Sequence, residues 1–597
     1  MTKIRLLATA MVLLCTINSF AQTTIDGRVK DSATNESLPF CSITVKGSTK
    51  GTITNEEGAF TIFVNLNKDT LLFSYVGYTP QTIPARRLVQ KPMVLMNRNN
   101  VLLNEVVVHS TDDYIFDVLL RCRKRLSDDP SEHTAKVYYG IETQTKEQPV
   151  EQLECYYNGY LKGITIEKLG FKNGRLGLAV LDESYFLTLN TSAAISRLNL
   201  IVQSKDYPFI PFQFNKREMK KHFRVALEPS DNKMYRISFQ PRKMKQHGFS
   251  GEVWIDKESL SILKINLNIE NALQHPFLPI FPTDSLSQIH LSINQTFKQE
   301  GNTVLPDHFD FRYDAVYKSV RKEPTAGHPS ILTRNITTKG IMYFYDYDNP
   351  FILPFFEYDN AFDDYRKMSF IPYNDFFWKS NFTLRLTEKQ KENLNFFSDK
   401  GQLINFGDRR YGRDFLRIQQ ENDTSFSKLY EFYYTFWSSS ERIRLNRKLV
   451  QNSVFPLNKR DNAVQSSLYH LKVQLLLDVT QSGDTIDHRS YTVFDAGKTF
   501  FHLPEQPCIT PFLNIYFDIC EIERRKMENE LSRKPLTIAR VDSIYTRTIE
   551  NMEAITRRYL KEVELGKNEK SLRVWNDYVI KNLNIDNMAL FPLTNDP

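Results

Sequence analysis

GTITNEEGAFTI, at residues 51–62, and FSYVGY, at residues 73–78, decide the first fold assignment in this 597-residue sequence. Both stretches place β-branched and aromatic residues beside Gly, Asn or Glu. Successive side chains of a strand point to opposite faces, so each apolar run can bury one face, and each Gly-rich cluster favours a turn. Residues 24–95 repeat this pattern throughout, which predicts a small β-sandwich.

The motif in this segment resembles that of a known domain family. The order G-T-x-T-[ND]-x-x-G-x-F-x-I, followed by F-S-Y-V-G-Y, is similar to the carboxypeptidase-regulatory-like (transthyretin-like) domain. The resemblance implies a β-sandwich without a catalytic role at residues 22–97. In exported receptors with this domain, a segment similar to VLLNEVVV (residues 101–108) follows it, and a plug and a membrane barrel come next.

The receptor resemblance ends near Ser110, because a helix is expected where the plug would begin. Residues 114–126 place apolar side chains on one helical stripe, with Asp112 and Asp113 as a cap and Pro130 beyond its end. Residues 98–130 are therefore expected to form a connecting strand and a helix.

The first 21 residues have the pattern of an export signal. Lys3 and Arg5 precede an apolar stretch at residues 6–15, and Ser19-Phe20-Ala21 has the small-x-small form of a cleavage site. The apolar stretch is shorter than the about 20 residues that span a bilayer, and Leu14 argues against lipidation of Cys15. We expect an exported protein in the periplasm or associated with the outer membrane, with no transmembrane segment after signal cleavage.

Composition disfavours several classes of function. The 77 basic and 70 acidic residues give a formal charge of +7 and are interleaved along the chain, so no nucleic-acid partner is expected. The length predicts several domains. Five cysteines follow the signal without C-x-x-C spacing, which predicts neither a disulfide framework nor a zinc site.

Residues 131–320 contain β-rich runs that predict successive antiparallel strands, at 135–141, 234–239, 251–255, 262–269 and 289–297. The segment GEVWIDKESLSILK, residues 251–264, predicts a hairpin with its turn at 256–259. It resembles the G-x-[IVL]-W-I-D-x-x-[ST]-x-x-[IVL]-x-K hairpin of lipoprotein-carrier half-barrels.

The half-barrel resemblance implies a concave apolar face that shelters a client, with Trp254 as the candidate client-binding residue. Ordinary cross-strand packing of Trp254 is the alternative. Strand alternation places Val253 and Ile255 on the face opposite Trp254, so only one of the two sets can line a concave face.

Residues 321–510 are expected to form an aromatic-rich β region, with strands at 471–479 and 491–494. Residues 341–382 are dense in Phe, Tyr, Asp and Asn, a combination that suits sugar binding. Asp346, Asp348 and Asn349 also offer oxygen atoms to Ca²⁺. The alternative is that the rings fill the space between β layers while Asp, Asn and Pro make turns.

Residues 511–597 change to helical periodicity. Apolar stripes predict helices at 512–531, from Pro535 to Gly566, and at 571–583. Outer-membrane barrels close with a C-terminal strand, so this helical end argues against such a barrel.

No catalytic motif is complete. One H-x-x-E sequence, at His502 and Glu505, matches part of a zinc carboxypeptidase site, but no histidine follows it as a third ligand, and Pro504 indicates a loop. We therefore predict no catalytic, cofactor-binding or metal-binding residues, no cofactor, and no enzyme activity.

The predicted architecture is mainly β with a helical C-terminal part. Its ranges are a signal peptide (1–21), a sandwich (22–97), a connecting strand and helix (98–130), an antiparallel half-barrel-like region (131–320), an aromatic-rich β region (321–510) and a helical region (511–597).

The predicted function is non-enzymatic binding or scaffolding in the bacterial cell envelope. The expected partner is an envelope protein, a lipid or a glycan, and the half-barrel resemblance implies a hydrophobic or lipoprotein client. Two alternatives remain open. One is a hydrolase, a peptidase or glycosidase, whose site is assembled from residues distant in sequence. The other is a surface glycan-binding protein.

Overall fold

The computed structural model describes residues 23–99, 113–179, 188–189, 191–243, 247–279, 284–301, 303–321, 330–359, 364–381, 384–407, 434–440, 442–443, 469–483, 485–501 and 508–591. The signal expected at 1–21, the strand expected at 101–108, and His502 with Glu505 lie outside these residues. The chain forms two compact units, Met1–Phe351 with Asn381–Arg409 and Ile352–Ser380 with Arg410–Pro597.

The described elements before residue 100 are β1 (Thr23–Asp31), β2 (Ser42–Val45), β3 (Gly51–Ile53), β4 (Ala59–Val64), β5 (Thr70–Ser74), β6 (Gln81–Pro84), α1 (Ala85–Gln90) and β7 (Met93–Met96).

The described elements from residue 113 to residue 345 are α2 (Asp113–Ser127), β8 (Glu132–Gln144), β9 (Pro149–Lys162), β10 (Thr165–Ala179), β11 (Thr188–Leu189), α3 (Thr191–Ser196), α4 (Lys216–His222), β12 (Phe223–Glu228), β13 (Met234–Pro241), β14 (Ser250–Asp256), β15 (Ile262–Ile269), β16 (Leu278–Pro279), β17 (Ser285–Glu300), β18 (Thr303–Arg321) and β19 (Ser330–Tyr345).

The described elements that follow are α5 (Asp364–Phe370), α6 (Asp375–Ser380), α7 (Glu388–Lys400), β20 (Gly401–Ile404), β21 (Tyr434–Phe436), β22 (Tyr469–His470), β23 (Val473–Ser482), β24 (Thr485–Asp495), β25 (Phe500–Phe501), α8 (Ile509–Leu531), α9 (Ile538–Val563), α10 (Glu569–Leu583) and α11 (Asn587–Leu590).

The N-terminal part of the first unit is the predicted β-sandwich. One sheet has the strand order β4-β1-β7 and the other β3-β2-β5-β6. Its core is made by the inward side chains of both sheets, including Ile43, Phe60 and Phe73, which are fully buried. The rings of Phe60 and Phe73 lie 5.7 Å apart, edge to face, an arrangement that stabilises the core beyond simple burial. The sandwich therefore has a self-contained core.

One buried carboxylate fixes an end of the sandwich. Asp31 accepts hydrogen bonds from Tyr78 Oη, at 2.7 Å, and Arg98 Nε, at 2.5 Å. These two bonds hold the pKa of Asp31 well below its ordinary value. They tie the loop at Tyr78 to strand β1.

The rest of the first unit is built on one large antiparallel sheet. Among the described residues eleven strands join in the order β12-β13-β14-β15-β17-β18-β19-β8-β9-β10-β20. The runs predicted at 135–141, 234–239, 251–255, 262–269 and 289–297 all lie within its strands. The mainly β fold class with a helical C-terminal part is thus confirmed, and β19 continues the sheet past residue 320.

The two faces of this sheet differ in polarity. Val253 and Ile255 are fully buried on one face, whereas Trp254 between them is half-buried on the other. The Val253 face continues through Ile237 and Phe239, and the Phe239 ring lies 6.0 Å from that of Phe223. The chain's own segments cover this apolar face: α2 contacts β12 and the 211–222 segment, and Phe277 stacks on Tyr313 at 4.1 Å.

The second unit joins a small sheet to the C-terminal helices. Strands pair in the order β21-β24-β23, and Phe494 of β24 packs against Phe517 of α8. The fully buried Asp518 of α8 accepts hydrogen bonds from Trp437 Nε1, at 2.7 Å, and from Arg442 Nη2 and Asn587 Nδ2, both at 2.6 Å. This carboxylate joins three segments, and its burial is matched by charge-assisted bonds.

Within the range expected to be an aromatic-rich β region, the described residues form three helices: α5, α6 and α7. The sequence pattern at Thr387 and Gln390 could have predicted the start of α7, because these two residues form a capping box. No helix among the described residues combines the length and the apolar content needed to cross a bilayer.

We expect residues 22–99, expressed alone, to unfold cooperatively on heating, because the sandwich buries its own core. Phe60→Ala should destabilise the fragment by about 3–5 kcal/mol, the usual cost of removing a buried Phe. Thr82→Ala, at an exposed position of β6, should change it little. Circular dichroism during thermal unfolding measures both effects. A fragment without a cooperative transition would contradict independent folding.

Candidate functional site

A cleft of about 770 Å³ lies between the sandwich and the large sheet. We call it the sandwich–sheet cleft. Its walls are the outer face of β2 and β5 on one side and the polar face of β15, β17 and β18 on the other. Both walls belong to the first unit. Ligand sites in proteins often lie between domains and have volumes of about 300–1,000 Å³, so this cleft is the candidate functional site.

Small side chains keep the sandwich wall of the cleft shallow. Ser42, Thr44 and Ser74 alternate with the buried core residues Ile43 and Phe73, so they point away from the sandwich core into the cleft. Ser42 lies opposite Ser74 in the pairing of β2 with β5. This wall therefore offers hydroxyl groups and leaves room for another molecule.

The facing wall is polar. Trp254, Lys264, Thr296 and His308 are consecutive partners across β14, β15, β17 and β18, and paired residues share one face of a sheet. Lys264, Thr296 and His308 line the cleft. Trp254 lies at the end of this row, with its ring 5.5 Å from the Arg236 guanidinium and 5.6 Å from Lys264 Nζ.

Hydrogen bonds fasten the sandwich to the sheet around the cleft. Ser42 Oγ donates to Asp307 Oδ1 at 3.2 Å, and Asn99 Nδ2 donates to Asp231 Oδ2 at 2.8 Å. The backbone N–H of Asp346 donates to the carbonyl of Thr49 at 2.8 Å. These contacts fix the width of the cleft.

Two titratable groups of the sheet wall have perturbed pKa values. Burial lowers the pKa of Lys264, and nearby Asp310 and Glu252 oppose that shift. Burial raises the pKa of Asp310, although His308 and a 2.7 Å hydrogen bond from Asn294 Nδ2 favour its charged form. On the sandwich wall, burial raises the pKa of Tyr75 to about 12. Such perturbed groups in a cleft are typical of functional sites.

The cleft holds a serine, an aspartate and a histidine, but not in the order that activates a nucleophile. Asp307 Oδ2 lies 2.8 Å from His308 Nδ1, as in a triad, but Ser42 Oγ bonds to the carboxylate and not to the imidazole. Base activation requires the hydroxyl to donate to the histidine. Cys41 points into the sandwich core, and burial raises the pKa of its thiol. Neither side chain is an activated nucleophile in this geometry.

The oxygen atoms considered for Ca²⁺ have protein partners. Asp346 Oδ2 accepts from Lys136 Nζ at 2.5 Å and from Asn349 Nδ2 at 2.8 Å, and Asp348 Oδ1 accepts from Thr134 N at 3.0 Å. In the part of the chain that the structure describes, no three His, Cys, Asp or Glu side chains are placed to hold a metal ion.

A second groove, of about 590 Å³, lies along Ser250, Asn268 and His290 of the same sheet. Two of its charged groups pair with each other, since Arg312 donates two hydrogen bonds to Asp314 at 3.1 Å.

The sequence assigned no role to the residues that line this cleft. Trp254, the predicted client-binding residue, belongs to the row that faces the cleft and not to the apolar face of Val253, so its binding role stays a prediction. Lys264 is the last residue of the hairpin motif, and the motif assigned it no role. Its pairing with Trp254 follows from the hairpin register. No local sequence motif marked Asp307, His308 or Asp310 as a residue of a site.

A family model described as the CarboxypepD_reg-like domain matches residues 25–108. The predicted resemblance of the N-terminal segment is therefore confirmed. The TonB-dependent receptor SusC of Bacteroides thetaiotaomicron is 36% identical over 109 residues, 18% of this chain and 10% of the receptor. The TonB-dependent receptor P26 of Formosa agariphila is 40% identical over 77 residues, 13% of this chain and 8% of the receptor. The chain thus spans a tenth or less of these relatives.

Solved structures with some similarity include two bacterial proteins. A DUF1329 family protein of Desulfovibrio piger has 9% identity and a TM-score of 0.18, over 42% of this chain and 93% of its own. A LolA superfamily protein of Nitrosomonas europaea has 10% identity and a TM-score of 0.16, over 39% of this chain and 91% of its own.

We expect Asp307→Ala to lower the free energy of unfolding by about 2–3 kcal/mol, because it removes two hydrogen bonds of a buried charge. Asp310→Ala, on the same strand, should cost less than about 1 kcal/mol, since burial already disfavours the charged form of Asp310. Urea denaturation followed by circular dichroism measures both. Equal losses in the two variants would argue against Asp307 as a fastening residue.

Proposed function

We propose that this chain is an exported, non-enzymatic binding protein of the bacterial cell envelope that holds its ligand in the sandwich–sheet cleft. The observation that carries the proposal is the cleft itself: about 770 Å³ between two β walls, lined by hydroxyl, amide and charged groups together with apolar side chains such as Leu72 and Phe297. A packed interface between two domains would have filled this space with side chains.

The fixed width of the cleft supports binding to a preformed site. Hydrogen bonds from Ser42 and Asn99 hold the sandwich against the sheet, so the walls need little rearrangement when a ligand enters. A ligand then loses less free energy to ordering the protein, which is the advantage of a preorganised site.

The side-chain geometry supports binding over catalysis. The hydroxyl of Ser42 is directed to Asp307 and not to His308, and Cys41 is buried in the sandwich core. A hydrolase would need a nucleophile or a water molecule activated by a base within hydrogen-bond distance. The hydrolase alternative therefore gains no support from the described residues of this cleft.

The proposed location rests on the N-terminal residues and the matched domain. Residues 1–21 have the composition of a cleaved export signal, and the receptors that share the N-terminal domain are TonB-dependent. The periplasm or the periplasmic side of the outer membrane would suit such a protein. The partner would be a component of the cell envelope whose chemistry fits the groups that line the cleft.

A hydrophobic client would need the other face of the large sheet. The buried side chains there, including Val253 and Phe239, pack against the chain's own segments. A lipid or lipoprotein could reach them only if α2 and the 209–223 segment separated from the sheet. The cleft requires no such separation, so we favour a polar ligand over an apolar one.

We expect Thr44→Trp to abolish ligand binding, because the indole would occupy the cleft. Thr82→Trp is the matched control, since Thr82 is exposed on the same sheet and lies outside the cleft. The measurement is the thermal unfolding midpoint of the mature chain with a panel of envelope peptides, saccharides and lipids. A ligand at 100 times its Kd should stabilise the wild type and Thr82→Trp by about 2.7 kcal/mol.

Two results would contradict the proposal. Ligands that stabilise Thr44→Trp as much as the wild type would place the site elsewhere. Chemical conversion of a panel compound, detected by mass spectrometry, would show that the protein is an enzyme.

A further inference from the structure

Most charged groups that line the sandwich–sheet cleft have partners within the protein. Asp231 accepts from Asn99, Asp307 lies against Ser42 and His308, and Lys298 Nζ lies 3.2 Å from Glu300 Oε1. These groups have hydrogen-bond or ion-pair partners within the protein in the absence of a ligand.

Lys264 differs from these groups, and from Lys46 and Lys233, which line the cleft but are exposed. Its Nζ makes no hydrogen bond or ion pair with any residue in the described part of the chain; its one close partner is the Trp254 ring, 5.6 Å away. The side chain is half-buried and lines the cleft. A half-buried ammonium without an anionic partner loses hydration and gains little in return, so the position favours an anion from outside the protein.

Asp310 is the acidic counterpart on wall strand β18, which β17 separates from the strand of Lys264. Asn294 Nδ2 donates to Oδ1 at 2.7 Å, and no basic side chain of the described residues lies within ion-pair distance of the carboxylate. Lys264 and Asp310 attract each other electrostatically but form no salt bridge. Two opposite charges thus face the same space from separate positions.

Resting on the function proposed above, we propose that the ligand of the cleft is zwitterionic, a short peptide or an amino acid whose carboxylate meets Lys264 and whose ammonium group meets Asp310. A ligand with one charge would leave the second protein group without a partner. A ligand with both charges satisfies both groups. Charge-assisted hydrogen bonds of this kind are about twice as strong as neutral ones.

The opposite wall suits the middle of such a ligand. The hydroxyl groups of Thr44 and Ser74 face the cleft, and hydroxyls both donate and accept hydrogen bonds. Backbone amide groups of a short peptide could therefore pair with the sandwich wall while its charged ends meet the sheet wall. A neutral saccharide would also find hydroxyl partners here, but it would not use the separated charges.

The test uses the mature full-length chain and isothermal titration with four probes: tetra-alanine, its N-acetylated form, its C-amidated form, and maltotriose. We expect the unblocked peptide to bind, and each blocked form to bind at least about tenfold more weakly, because one charge pair is lost. Lys264→Met and Asp310→Asn should each weaken the unblocked peptide by a similar factor.

Lys318→Met is the matched control, since Lys318 is exposed on β18 of the same sheet and does not line the cleft; it should leave the affinity unchanged. Should a cleft variant fail to fold, the comparison of blocked and unblocked peptides on the wild type still decides the matter.

Several outcomes overturn the inference. Equal affinity for blocked and unblocked peptides would show that the end charges are not recognised. Binding of maltotriose alone, lost in Thr44→Trp, would leave the cleft as a binding site and exclude the zwitterionic ligand. Absence of binding by all four probes would also overturn this inference. The wider ligand panel, compared between the wild type and Thr44→Trp, tests separately whether the cleft is a binding site.

Discussion

Strand alternation in the large sheet is the constraint on which the first unit depends. Because neighbouring side chains point to opposite faces, the hairpin residues Val253 and Ile255 lie on an apolar face, and Trp254 and Lys264 on a polar one. The apolar face must be buried, whereas a polar face of an antiparallel sheet can lie in water. The helix α2 and the 209–223 segment cover the apolar face, and the N-terminal sandwich lies over the polar one.

The N-terminal sandwich does not fill all the space above the polar face of the sheet, and the remaining space is the cleft. The sandwich turns small residues such as Ser42 and Thr44 toward the sheet, while the sheet presents Lys264 and Asp310. Apolar side chains would have closed such a gap by packing. Polar groups instead retain water, which a polar ligand can replace at small cost. The same alternation that stabilises the sheet therefore creates a site on its second face.

Local patterns predicted many of the strands and the C-terminal helices. The run at 262–269 coincides with β15, and residues 512–531 lie within α8, because periodicity of two or of 3.6 is a property of neighbouring residues. The helices α5, α6 and α7 were not predicted; α5 and α6 are short aromatic segments without a clear period.

Local sequence patterns could not predict the cleft, because its contacts join distant parts of the chain. Ser42 and Asp307, for example, are 265 positions apart. Only the Trp254–Lys264 pair, within one hairpin, could have been found from the motif.

Hydrogen–deuterium exchange of the mature chain, with and without the tightest compound of the envelope panel, tests the central claim most directly. We predict slower exchange in residues 39–48, 72–80 and 294–310, which form the cleft, and no change in α8. Slower exchange confined to α2 and residues 209–223 would contradict the account and place the ligand on the apolar face.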